Sequence, residues 1–236
     1  MSLAEKLRKK GIGCKPDVRG IQKKMAELEK RRGKMWKPRD GRNVVRILPA
    51  ATKDGFWYHE TAFHYGPGVV CGRSAGQKCP VCRYREKLLR STDEGKLELA
   101  NALEPQNRIL FNLVDLTDDS SKAKGVQVWG HSETTLNKLI VFFNDAEWGD
   151  FTDPIHGYDI IIEKTDRSGP EAYKIRPRRN PSKIEKLLWL KEMKRLDRVQ
   201  KVLPYTEAKK RLKRWISEGG VKYRGRAQKL QQRGDD

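Results

Sequence analysis

The sequence predicts a mixed fold, mainly β with flanking α, and three observations carry that prediction. Short strand-like runs separated by turn residues fill positions 34–180, which is the pattern of a small β barrel or sandwich. Three of the four cysteines fall within twelve residues of one another, just after a histidine, so a metal-knuckle loop interrupts the strands. Sustained helical periodicity is concentrated at the two ends, and both ends are strongly basic.

The first element is a basic helical arm over residues 1–33. Leu3 and Leu7, then Ile21, Met25 and Leu28, recur at helical spacing, with Gly11, Gly13 and Pro16 breaking the run between them. Arg8, Lys9, Lys10, Lys23, Lys24 and Arg31 give the arm a charge suited to phosphate or to a neighbouring subunit.

From Met35 the pattern turns to strand. A turn at Asp40 and Gly41 followed by the β-branched run through Val44, Val45 and Ile47 predicts a hairpin. Alternation points Val45 and Ile47 inward and Arg46 outward. Residues 56–65 read as a second, aromatic strand leading into the metal loop. Helices follow at 83–89 and 93–103, with Ser91 and Thr92 as the cap between them and Pro105 as the stop. Residues 107–116 are the clearest strand, and 126–129 return beside it after a loop. Ser132 opens a helix over 132–143, and 157–165 with 172–176 make a last hairpin.

Two further helices are predicted at 183–203 and 206–217, joined at Pro204. Ile184, Leu187, Leu188, Leu190, Met193, Leu196 and Val199 form a broad apolar stripe on the first, and Leu212, Trp215 and Ile216 continue it on the second. Such a stripe must be buried, on the barrel or against another protein. Short strands with one helix between the late ones match an oligonucleotide-binding (OB-type) barrel better than a sandwich. The expected organisation is therefore a basic arm (1–33), an OB-type core (34–180) with an inserted zinc-binding subdomain (about 56–104), C-terminal helices (181–218) and a basic flexible tail (219–236).

The metal loop runs from His64 to Cys82. Cys79 and Cys82, two residues apart, can turn onto one ion without strain, and His64 and Cys71 complete a Cys3His set, the donor pattern of a structural zinc site. Four ligands fill the coordination sphere, so one bound zinc would hold shape and not activate water. A lone pair of cysteines would leave a redox couple or buried thiols open; the third cysteine and the histidine favour zinc. His59 is the alternative histidine, but His64 sits beside the Gly66-Pro67-Gly68 turn. Cys14 stands apart and is read as incidental.

Charge placement narrows the partners. The chain carries 51 Lys and Arg against 31 Asp and Glu, a net +20. Residues 1–46 hold a net +11 and residues 174–236 a net +14, whereas 47–173 hold −5. Basic ends on a mildly acidic body exclude a uniformly basic histone-like protein and point to a polyanion, most often nucleic acid. No apolar run approaches the ~20 residues of a membrane span, and the N-terminus lacks the apolar stretch of a signal peptide. With cysteines arranged for metal, this predicts a cytoplasmic protein. There is no phosphate-cradling Gly-Lys-Ser/Thr loop, no GxSxG elbow, no HExxH and no second acidic cluster for a two-metal nuclease, so no enzyme is predicted.

The run from Gly41 through Arg46 to Pro49, the aromatic strand ending at His64, then Cys71, then Cys79-Pro80-Val81-Cys82-Arg83-Tyr84, then residues 107–116, resembles the zinc-containing single-stranded DNA-binding proteins of T-even-like bacteriophages. The likeness spans roughly 34–180. It implies a barrel with a zinc subdomain, a groove for single-stranded DNA between them, and a role in coating DNA during phage replication, recombination and repair. Implied partners are single-stranded DNA, further copies of the chain along it, and phage replication and recombination proteins. On this resemblance His64, Cys71, Cys79 and Cys82 fall on zinc ligands, Arg46 on a basic groove position and Tyr173 on an aromatic one. The arm lacks the family's basic-then-hydroxyl motif, and the chain ends in basic helices and Asp235-Asp236 where the family ends in an acidic tail.

Sequence-blind binding of a single strand needs cations along the backbone and aromatic faces for unpaired bases. The candidate cations are Lys37, Arg39, Arg42, Arg46, Arg73, Arg108, Arg176 and Arg178, and the candidate stacking residues are Tyr58, Tyr65, Phe111, Trp129 and Tyr173. The rival reading is a zinc-ribbon transcription or replication factor that binds duplex DNA or a polymerase.

Overall fold

Among the described residues, seven strands form one sheet, every ladder in it antiparallel: β1 (Gly41–Ile47), β2 (Tyr58–His64), β3 (Val69–Val70), β4 (Gln106–Asp115), β5 (Val126–His131), β6 (Ile160–Lys164) and β7 (Tyr173–Pro177). The helices are α1 (Pro80–Leu88), α2 (Glu94–Ala102), α3 (Asp119–Lys122), α4 (Glu133–Phe143), α5 (Leu187–Lys191), α6 (Leu196–Val199) and α7 (Tyr205–Ser217). The computed structural model describes residues 35–51, 55–167 and 169–219. The arm expected over 1–33, and the expected tail beyond 219, lie outside the described residues.

β4 organises the sheet. It pairs with β2 along its first half and with β1 along its last residues on one edge, and with β5 on the other. Its alternation supplies two faces. Ile109, Phe111 and Leu113 enter the main core with Val45, Ile47, Trp129, Leu136, Leu139, Ile160 and Ile162. Val114, on the opposite face, joins a smaller cluster with Leu48, Val126, Ile184 and Trp189. A third cluster lies around the three neighbouring cysteines and includes Leu103, Leu212 and Trp215.

The closed OB-type barrel expected from the sequence is not formed among the described residues. The strand order is β3-β2-β4-β1-β6-β7, with β5 on the far edge of β4, and the sheet is open. Between β5 and β7 side chains take the place of a ladder. The His131 ring meets Tyr173 edge-on at 4.7 Å, and Lys138 of α4 donates to the Tyr173 carbonyl at 2.8 Å. The sheet therefore stays open, with these two contacts between His131, Lys138 and Tyr173 beyond its ladders.

Three local expectations also change. Gly41 adopts a left-handed turn (φ 77°), but residues 36–40 do not return along β1 as a hairpin. The Asn43 side chain holds the bend instead, donating to the Arg39 carbonyl (2.8 Å) and accepting from its amide (2.9 Å), while Trp36 bridges to Trp129 of β5. Asp93, not Ser91 or Thr92, caps α2, accepting from the Lys96 amide at 2.9 Å. The helix expected over 183–203 is broken into α5 and α6. The Asn112 side chain pairs with both backbone groups of Lys194 (2.9 and 3.0 Å) and draws the chain onto the sheet between them. As a result Ile184, Trp189 and Leu196 are buried, while Leu187 and Leu188 of the expected stripe stay exposed.

Candidate metal centre and nucleic-acid interface

Four local decisions bring the metal donors together. β2 carries His64 inward on its last residue, and the turn through Gly66 and Gly68 returns the chain as β3, which places Cys71 beside it. A short 3-10 turn over Gly72–Ala75 follows. Gly72 is required there, because a Cβ would lie 2.9 Å from the Lys78 carbonyl oxygen. Cys79 then takes the N-cap position of α1, Pro80 its first turn, and Cys82 points back from that same turn.

The ligand atoms of His64, Cys71, Cys79 and Cys82 all lie within 4.8 Å of one another, and all four residues are buried. Cys71 Sγ is 3.4 Å from Cys82 Sγ, and His64 Nε2 is 3.4 Å from Cys79 Sγ and 3.5 Å from Cys82 Sγ. Donors around a tetrahedral ion with bonds of about 2.0–2.3 Å are separated by roughly 3.3–3.8 Å, so this group could hold a metal ion. His64 Nδ1 lies 2.8 Å from the Leu103 carbonyl oxygen. A carbonyl can only accept, so Nδ1 donates to it, the usual second contact of a metal-binding histidine, and Nε2 is left facing the sulfurs, where it would offer its lone pair once a cation displaced its own proton. His59, five residues earlier, is on the opposite face of β2 and pairs across to Leu110.

The electrostatics fit the same use. Burial lowers the His64 imidazole, but hydrogen bonds to Cys71 and Cys79 outweigh it and carry it up to about 9. Hydrogen bonds from Cys71 and Cys82 pull the Cys79 thiol well down. The shift favours the thiolate form that binds a cation, and a bound cation would draw off the protons the other donors keep.

The expected DNA contacts divide sharply. Arg46 is a correction. It points away from Val45 and Ile47 as alternation requires, yet that second face is covered and the residue is 1% exposed. Its guanidinium donates to the Asp153 carbonyl (2.6 Å) and Ser182 Oγ (3.1 Å) and pairs with Asp159 (3.6 Å). Burial pulls its pKa down and Asp159 opposes that shift. No phosphate can reach it. Phe111 and Trp129 are corrections as well. At 0% and 1% exposed they are core residues, and no base can stack on them.

Other candidates are placed where a strand could meet them. Tyr65 is 43% exposed, and the Arg108 guanidinium stands 5.2 Å over its ring while also donating to its hydroxyl. Tyr58 is half-buried and stacks on Phe56, centroids 5.5 Å apart. Phe56, 72% exposed, was missed by the sequence reading; its place in the aromatic triplet with Trp57 and Tyr58 was the available signal. Tyr173 is half-buried against His131.

Lys37 and Arg42 are exposed. Arg39, Arg73, Arg176 and Arg178 pair with Asp118, Glu86, Glu163 and Asp159 at 2.7, 2.5, 3.7 and 3.4 Å. The first three are exposed pairs of the kind that contributes only about 0–1 kcal/mol, so an incoming phosphate can exchange into them, whereas the Asp159 carboxylate is buried. On the sheet face opposite the main core, β1, β6 and β7 align Arg42, Glu163 and Lys174 in one row, with Arg176 beside it. The structure thus gathers Tyr65 with Arg108 and Arg42 with Arg176, and removes Arg46, Phe111 and Trp129.

The model of the family described as "gp32 DNA binding protein like" matches residues 39–216. No curated protein matches the chain.

Proposed function

The chain belongs to the gp32-like DNA-binding family, and from that premise we propose that it is a sequence-nonspecific single-stranded DNA-binding protein that coats and protects DNA during phage replication, recombination and repair in the host cytoplasm. The observation that carries the reading beyond family membership is the Tyr65–Arg108 pair. An exposed ring with a cation over it offers a base a stacking platform and its phosphate a counter-charge at one point. Arg42, Arg176, Lys37, Arg39, Arg73 and Arg178 supply further cations for the backbone, and Phe56, Tyr58 and Tyr173 further rings. The role is binding, not catalysis.

The Cys3His group is read as a zinc site. Zinc held there supplies a fixed cross-link with no open position for water. His64, Cys71, Cys79 and Cys82 then tie β2, the turn after β3 and the start of α1 into one rigid module. That module keeps Tyr65, one residue past His64, in a set position relative to Arg108 on β4. The residues from about 56 to 104 form the zinc subdomain in this reading, within a core that runs to 180, with the C-terminal helices packed on both.

Titration with oligonucleotides, followed by the fluorescence of the six tryptophans, tests the proposal at matched salt. Single strands of different sequence should bind with similar affinity and more tightly than duplex. The logarithm of the binding constant should fall steeply with the logarithm of salt. Equal or tighter binding to duplex would instead favour a zinc-ribbon factor that reads paired DNA.

A further inference from the structure

A second recognition surface lies outside every residue assigned to DNA or metal. α1 and α7 pack side by side, and between them opens a cleft of about 530 Å³. Its apolar floor is built from Pro80, Tyr84, Leu212 and Ile216, with Tyr205 at one end. Arg83 and Lys87 line one wall from α1, and Lys209 and Lys213 line the other from α7. Each pair is spaced i, i+4, so each wall presents a row of cations along its helix.

These four cations differ from their neighbours. Arg73 pairs with Glu86, Arg85 with Glu104 and Arg214 with Glu218. Arg83, Lys87, Lys209 and Lys213 are all exposed, and none has a carboxylate within ion-pair distance among the described residues. Two rows of uncompensated positive charge therefore flank one apolar trough. A nucleic-acid backbone needs the charge but has no use for Pro80, Leu212 and Ile216 recessed between two helices; an unpaired base would seek an aromatic face open to solvent, and Tyr84 and Tyr205 are both half-buried. An amphipathic helix with an apolar stripe and carboxylates on both flanks matches floor and walls together.

We propose that the α1/α7 cleft is a docking site for an acidic amphipathic helix of a partner protein. The partner's apolar side chains enter between Tyr84 and Ile216, and its carboxylates meet Arg83 and Lys87 on one side and Lys209 and Lys213 on the other. The basic ends of this chain do not fit the site by charge. The proposal does not depend on the single-stranded DNA reading, since none of the cleft residues belongs to that interface.

The probe is a labelled synthetic helical peptide with leucines at i, i+3, i+4 and i+7 and glutamates on both flanks, titrated into the full chain. A scrambled peptide of identical composition is the control. The patterned peptide should bind at least about tenfold more tightly than the scrambled one, and Arg83→Glu with Lys87→Glu, or Lys209→Glu with Lys213→Glu, should weaken it by about tenfold or more. Both double variants should keep their metal content and bind an oligonucleotide within about twofold of the parent. Equal binding of patterned and scrambled peptides would overturn the proposal. So would charge reversals that weaken the oligonucleotide as much as the peptide, since the cleft would then be a nucleic-acid surface.

Discussion

The Trp215 indole lies across Gly66, its Cε2 and Cζ2 atoms 2.8 Å from where a Cβ on Gly66 would stand. That contact joins the last helix of the described residues to the turn immediately after His64, the candidate metal ligand. Arg211, one helical turn earlier, adds a bond from its guanidinium to the Gly68 carbonyl at 3.1 Å. Gly66 is not in the left-handed region, so its requirement for glycine is steric. Gly66→Ala should destabilise the protein by about 1–3 kcal/mol, the usual cost of overpacking. Adding Trp215→Leu should recover part of that loss, and unfolding midpoints of the two single variants and the double variant give the coupling.

One equivalent of zinc per chain is expected on metal analysis. Cys79→Ser, Cys71→Ser and His64→Ala should each lose it, and His59→Ala should retain it. Retention of a full equivalent in the Cys71 or Cys79 variant would remove that residue from the site. Chelation should lower the unfolding temperature, because the cluster around Leu103, Leu212 and Trp215 is built on the same loop.

Arg46 and Arg42 separate structure from binding on a single strand. Arg46→Ala removes a buried cation and leaves Asp159 with fewer partners, at a cost of about 3–5 kcal/mol. Arg42→Ala should leave the unfolding curve within about 0.5 kcal/mol of the parent and reduce the salt slope for single-stranded DNA by about one unit. A stable Arg46→Ala protein with weakened DNA binding would reverse the assignment made here.

The aromatic residues divide in the same way. Tyr65→Ala should cost about 1–3 kcal/mol of affinity for a single strand with little change in stability. Phe111→Ala and Trp129→Ala should instead cost about 3–5 kcal/mol of folding stability. Circular dichroism melts beside fluorescence titrations distinguish the two outcomes.

His131 gives a pH dependence with a definite sign. Burial, with Arg108 and Lys138 adding positive charge nearby, pulls its imidazole from 6.5 down to about 4. As pH falls below about 6.5 the unfolded chain takes up a proton that the folded chain refuses until about 4. Stability contributed by neutral His131 is therefore present above 6.5 and lost as pH drops through that window. His131→Gln, which can still meet Thr135, should flatten this part of the profile. Comparing the two proteins at each pH cancels acid effects at the metal cluster, and parallel profiles would show that His131 is not their source.

The sequence by itself determined what is local. The four candidate metal donors lie between positions 64 and 82, so their spacing along the chain, with turn residues between them, already implied one site. The short apolar runs of β4 and β6 and the helix opening at Ser132 were readable for the same reason. Alternation also assigned Arg46 to the face opposite Val45 and Ile47 correctly. What it did not contain was the covering of that face. Ser182, which bonds to Arg46, is 136 residues away, and Gly157, where a Cβ would come 2.8 Å from Arg46 Nη2, leaves the guanidinium its room. Phe111 and Trp129 are buried against segments far along the chain, and Asn112 breaks a helix 82 residues downstream by pairing with Lys194. The open edge of the sheet and the cleft between α1 and α7 have the same origin. Periodicity records which side chains share a face; only long-range packing decides whether solvent, a helix or another strand lies against it.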